Sequence, residues 1–140
     1  MRHTLCALAI VVAVALVGCQ RSGKTEAERA ATKAADAWLK LLDDGKYDET
    51  WQQASSAIQQ AVDQAKWRET MTATEALLGK VRSRKVQTAQ YMTSVPGAPP
   101  GEYVVIDYAT DCEKRPGTVI RVTPTKENGV WRVAGYVIAQ

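Results

Sequence analysis

The chain changes character at Gly79. Before it, Ala, Gln and Trp recur at helical spacing; after it, β-branched residues and Tyr take over. A first half that favours helix and a second half that favours strand cannot build alternating β-α-β units. It restricts the fold to helices packed on an antiparallel sheet, the α+β class. Charge divides at the same point. Residues 25–78 hold 6 basic and 10 acidic side chains, while residues 79–140 hold 9 basic and 5 acidic. The modest net charge of +3 thus hides an acidic helical half and a basic sheet half.

Within the first half, Thr25-Glu26-Ala27-Glu28 has capping-box spacing and is expected to open the first helix. Ala27, Ala31, Ala34, Trp38, Leu41 and Leu42 supply its apolar stripe, and Gly45 its stop. Asp48 is expected to cap a short second helix, and Ser56 with Gln59 a brief turn through Ile58 and Val62. Asp63 is expected to cap a helix with Trp67, Met71, Thr74 and Leu78 on one face, ended by Gly79. Trp residues at helical spacing can be core or a ligand platform; core is the commoner use.

Four strands are expected after Gly79: Arg82–Thr93, Glu102–Thr110, Thr118–Thr123 and Val130–Ala139. The second is apolar on both faces, as a central strand would be. Asn128-Gly129 is a two-residue hairpin signal, and Pro96–Gly101 a rigid loop between the first two strands. Pro124 should end the third strand or lie on an edge, and Gly135 should mark a bulge. Trp131 is expected to anchor the core between sheet and helices.

The amino-terminal residues set the address. Arg2 precedes an apolar run of thirteen residues, Leu5–Val17, too short for the roughly 20 residues a membrane-spanning helix needs. A charged start, a short apolar stretch and small residues at its end make a secretory signal peptide. Its close, Leu16-Val17-Gly18-Cys19, resembles the bacterial lipobox, in which the Cys thiol receives diacylglycerol and the peptidase cuts just before it. Gly18 and Cys19 are therefore the expected cleavage pair, and Cys19 the lipidation site. Residues 1–18 would be the leader, 19–24 the lipidated Cys and a tether, and 25–140 one domain. Several acyl chains anchor stably where one binds only marginally. Gln20, rather than Asp, after the Cys points to export to the outer membrane, facing the periplasm.

Cleavage would remove the single His, His3, together with Cys6. With Cys19 acylated and Cys112 alone, no intramolecular disulfide can form. Zinc sites built on His and Cys are excluded, as are Ser-His-Asp and Cys-His nucleophile arrangements. There is no Gly-rich phosphate loop. No metal or other cofactor is expected, and any chemistry would fall to Asp, Glu, Tyr, Lys or Arg.

Leu78-Gly79, Ser83-Arg84, Pro96-Gly97-Ala98-Pro99, Gly101-Glu102-Tyr103-Val104-Val105 and Trp131-Arg132-Val133-Ala134-Gly135-Tyr136 together resemble one family. It is the bacterial family catalogued as domain of unknown function 4019, small exported and often lipidated proteins. The resemblance covers about residues 30–138. It implies an α+β roll, N-terminal helices on a curved four-stranded antiparallel sheet, similar to the nuclear-transport-factor-two-like and cystatin-like superfolds. It brings no established activity, cofactor or partner. The chain departs from the family pattern at Cys112, Ile120 and Arg121.

Three groups of residues are candidates for function. Lys80, Arg82, Arg84 and Lys85 form a basic run. An exported address makes nucleic acid an improbable partner. The run is either a contact for anionic lipid or an acidic partner, with Arg84 and Lys85 foremost, or a solvated strand edge whose charges discourage aggregation. Asp107 and Tyr103 share one face of the second strand, with Tyr108 on the other. An Asp base and a Tyr acid in a roll cavity could isomerise a small apolar substrate. The plainer reading pairs Asp107 with Arg121 or Arg132 across strands. Cys112 is expected near a hairpin tip, either as an incidental thiol or as a site for an intermolecular disulfide.

Two functions follow as expectations. The first is a lipid-anchored envelope protein with a non-enzymatic binding or accessory role. It would be held to the bilayer through acylated Cys19 and would use the concave sheet or the basic edge to bind an envelope protein or ligand. The alternative is a pocket protein that binds, or slowly transforms, a small apolar molecule.

Overall fold

The computed structural model describes residues 16–139, with side chains from residue 23 onward. Four helices precede four strands: α1 (Leu16–Asp43), α2 (Tyr47–Gln53), α3 (Ser56–Ala61), α4 (Gln64–Leu78), β1 (Val81–Met92), β2 (Tyr103–Cys112), β3 (Thr118–Glu127) and β4 (Val130–Ala139). The strands form one antiparallel sheet in the order β1-β2-β3-β4. This is the α+β arrangement expected from the switch at Gly79.

Helix α1 lies across the sheet and touches all four strands. Its buried stripe is Ala31, Ala35, Trp38 and Leu39. The small residues let the helix approach the sheet, and Trp38 fills the space toward α4, its ring 6.1 Å from that of Trp67. The sheet answers with alternate residues of β2, Val104, Ile106, Tyr108 and Cys112, and with Ile120, Val122 and Val133. Trp38, Trp67, Met71 and Leu78 belong to this core, so the helical Trp spacing builds packing rather than a platform. Trp131 packs only against its margin.

Several local signals act as expected. Asp63 caps α4, its Oδ1 accepting the backbone N–H of Lys66 at 2.8 Å. Gly79 terminates that helix at φ +71°, and a Cβ there would sit 2.9 Å from the Cβ of Glu113. Asn128 and Gly129 both take positive φ in the hairpin between β3 and β4. The register shifts between Thr123 and Pro124, which face Gly135 and Val133, so Ala134 is the extra residue of a bulge beside Gly135.

Other expectations are corrected. Leu16, the first described residue, is already helical, and residues 20–24 are part of α1, so Thr25 lies inside the helix and does not open it. No proline interrupts that stretch, and extending an existing helix costs far less than nucleating one. Asp48 does not cap α2; Lys46 holds the cap position, and the Asp48 carboxylate accepts two bonds from Arg68 on α4. Ser55, not Ser56, precedes α3 as its cap residue and makes no side-chain cap bond. Pro124 lies inside β3, an internal strand, and is buried; the adjoining bulge removes the ladder position where its missing N–H would be needed. Cys112 is no hairpin-tip residue. It closes β2 with no exposed surface, and burial pushes its thiol up, which leaves it unsuited to intermolecular disulfide exchange.

The leader expected over residues 1–18 lies outside the described residues except for its last three positions. Residues 16–22, including Gly18 and Cys19, are described by their backbone alone. Among the described residues no helix is long and apolar enough to cross a membrane.

Candidate functional site

The alternation of β2 gives the sheet two unlike faces. One is covered by the helices. The other carries Tyr103, Val105, Asp107 and Ala109; the 93–101 loop folds back across one end, and Ser56 and Ala57 of α3 stand beside it. The four residues singled out by sequence divide between these faces.

Tyr103 is on the open face but is only 5% exposed, because the loop lies on it. Its hydroxyl donates to the Pro99 carbonyl at 2.6 Å, and its ring packs under Gly101. It clamps the loop rather than presenting a free phenol. Loop and sheet together wall a groove of about 780 Å³, lined by Met92, Val95, Val105, Arg121, Thr123 and Gly135 among others.

Asp107 is two periods of the pleat further along the same face. Arg121, directly opposite on β3, donates to it twice, from Nε at 2.7 Å and from Nη2 at 2.9 Å. The bond from Arg121 holds the Asp107 carboxyl below the usual carboxylate range. A carboxylate held this way is a weak proton acceptor at neutral pH, so the cross-strand pairing describes Asp107 better than general-base catalysis does. Tyr108, on the covered face, donates to Asp36 of α1 at 2.8 Å, and burial with that bond pushes its phenol well up.

Arg84 and Lys85 point to opposite faces, as neighbours on a strand must. Lys85 is exposed on the open side. Arg84 turns inward against the carboxyl end of α1, where Nη1 and Nη2 donate to Asp43 at 2.7 and 2.9 Å. Its side chain is 13% exposed and that of Asp43 is 33% exposed. Burial works against the Arg84 charge, but Asp43 more than compensates and raises its pKa. The basic run is therefore no continuous strip: Arg84 is withdrawn from the surface on which Arg82 and Lys85 remain.

Arg84 instead helps enclose a second space, about 210 Å³, between α1, α2, α4 and strands β1 and β4. Tyr136 lines it from β4 and Tyr47 from α2, where the Tyr47 hydroxyl donates to Glu75 of α4. Burial pushes the Tyr136 phenol up to about 12, although the Arg84 charge pulls the other way. Burial and the bond to Glu75 raise Tyr47 to about 12 as well. Sequence reasoning did not single out Tyr136, Tyr47 or Glu75 as site residues. The one available signal was Tyr136, at the close of the Trp131–Tyr136 motif. Among the described residues no cluster of His, Cys, Asp and Glu could hold a metal ion.

A family model described as "Protein of unknown function (DUF4019)" matches residues 34–136. That span runs from the middle of α1 to Tyr136 and includes both the groove and the cavity. No curated protein matches the chain.

Proposed function

This chain belongs to the DUF4019 family, and from its own residues we propose that it is a lipid-anchored binding protein of the bacterial cell envelope, without enzymatic activity. Cys19 would carry the acyl chains after cleavage behind Gly18, with the domain on the periplasmic side of the outer membrane. The lipobox-like Leu16-Val17-Gly18-Cys19 after a short apolar run supports the anchor. No cofactor is needed, and nucleic acid is not its partner.

The observation that carries the binding role is the groove on this sheet face, beneath the loop that Tyr103 clamps. The occupant that fits is a segment of another envelope protein. Apolar Met92, Val95 and Val105 would receive its side chains, and Arg121 and Thr123 offer polar contacts beside them. The polar groups that might have supported catalysis on this face are held by structural partners, Asp107 by Arg121 and Tyr103 by Pro99.

Two measurements test the reading. Mass analysis of the amino-terminal peptide should find an acylated Cys19, and Cys19→Ala should move the chain from the membrane pellet to the soluble fraction. A photoreactive residue placed at Thr123 should crosslink in cells to one envelope protein. Val105→Glu should abolish that crosslink while the circular dichroism spectrum stays unchanged. Crosslinks that survive Val105→Glu would overturn the groove as the binding surface.

A further inference from the structure

The cavity beside Arg84 is separate from the groove and lies on the other side of the sheet. Its polar side includes Arg84, held by Asp43, and Tyr136. Asp43 accepts from Nη1 and Nη2 of Arg84, while Nε–H is enclosed by protein, with no partner among the described residues, and is not presented to the cavity. Tyr136 lines the cavity from β4, its ring fixed 5.9 Å from that of Trp38. A phenol with so high a pKa stays protonated and remains a donor. Met71 and Leu78, both buried members of the core, supply apolar lining.

Charge narrows the ligand further. Inside, Arg84 is matched by Asp43. Of the other charged lining residues, exposed Glu75 and Lys80 carry opposite charges. An anion would find no surplus positive charge, and a cation no surplus negative charge. Size sets the last limit. A cavity of about 150 Å³ can hold a benzene ring, and drug-sized ligands need at least about 300 Å³. At about 210 Å³ this space suits one small ring with a single substituent.

We propose that this cavity is a binding site for a small neutral molecule with a carbonyl-type acceptor and a compact apolar body. The acceptor meets the Tyr136 hydroxyl, and the body lies against Met71 and Leu78. The site does not depend on the groove or on its protein partner.

The methionines provide the test. The chain has three, Met1, Met71 and Met92; Met71 lines the cavity and Met92 the groove. The full chain as purified, labelled with ¹³C at the methionine methyls, is titrated with cyclohexanone and, separately, with cyclohexanecarboxylate. Cyclohexanone should shift the Met71 methyl saturably and leave Met92 unmoved. The carboxylate should bind more weakly. Tyr136→Phe keeps the ring packing and removes the donor, so it should weaken the ketone about fivefold, the loss of one hydrogen bond. Absence of a saturable Met71 shift would overturn the site. Equal binding by Tyr136→Phe would overturn the donor role, and tighter binding of the carboxylate would overturn the neutral class. Because Met92 reports the groove independently, failure here is distinguishable from failure of the proposed function.

Discussion

The indole N–H of Trp67 donates to the Thr50 hydroxyl across 3.0 Å, in a core where Thr50 has no exposed surface. The same threonine offers its carbonyl to the indole of Trp38 at 2.8 Å, and its hydroxyl donates in turn to the Tyr47 carbonyl. One residue of α2 thus satisfies both large aromatic side chains through which α1 and α4 meet. Thr50→Val keeps the shape but leaves the Trp67 N–H buried without an acceptor, at an expected cost of about 1–3 kcal/mol. Urea unfolding followed by Trp fluorescence measures it. Thr50→Ser, which keeps the hydroxyl, should cost clearly less.

Gly79 joins the helical half to the sheet half with a positive φ and with Glu113 and Lys114 against its α-carbon. Gly79→Ala adds both backbone strain and a contact too short to keep. The expected loss is about 1–3 kcal/mol, seen as a lower thermal midpoint. Gly97→Ala is the control: it has the same sign of φ but open space around the new Cβ, so its loss should be smaller.

Asp43 and Arg84 pin the carboxyl end of α1 to an edge strand. Asp43→Ala leaves a mostly buried guanidinium without its counter-charge. A fully buried pair would lose about 3–5 kcal/mol; the partial exposure of Asp43 reduces the expectation to about 2 kcal/mol. The double variant Asp43→Ala with Arg84→Met should recover much of that loss, because no charge then remains buried. Denaturant midpoints of the two single variants and the double variant form the cycle that decides it.

Alkaline titration should unfold the chain cooperatively. Tyr47 and Tyr136 are raised to about 12 in the fold, against about 10 for a free phenol. The neutral phenol is therefore favoured in the folded state. The associated stability is fully present below pH of about 10 and is lost as pH rises toward about 12, where the unfolded chain ionises and the folded one resists. The ultraviolet tyrosinate band should grow together with the loss of helical circular dichroism. Tyr136→Phe should reduce that pH dependence.

Signals that act within a few residues were legible in the sequence. Asp63 reaches a backbone N–H three positions on, and Asn128-Gly129 closes its own turn, so neither depends on the remainder of the chain. The family resemblance and the α+β class were legible for a related reason, since both follow from texture along the chain. What was not legible depends on partners distant in sequence. Asp48 has the character of a cap, but Arg68 lies twenty residues away on a helix that packs beside it and claims its carboxylate. Arg84 reads as one charge among four until the register places it on the covered face, opposite Thr110 and within reach of Asp43. Pro124 breaks the rule for internal strands because a bulge on β4, not visible from β3 alone, takes up the missing bond. The cavity draws its lining from three helices and two strands, and no local pattern marks such a set.

The continuity of α1 has a geometric consequence. Cys19 and Asp43 sit on one unbroken helix, and at 1.5 Å per residue they stand about 36 Å apart along its axis. An acyl anchor at the first would make this helix a mast, with the Asp43–Arg84 cavity at its far tip. Whatever enters that cavity would then arrive from the aqueous compartment rather than by lateral diffusion out of the bilayer.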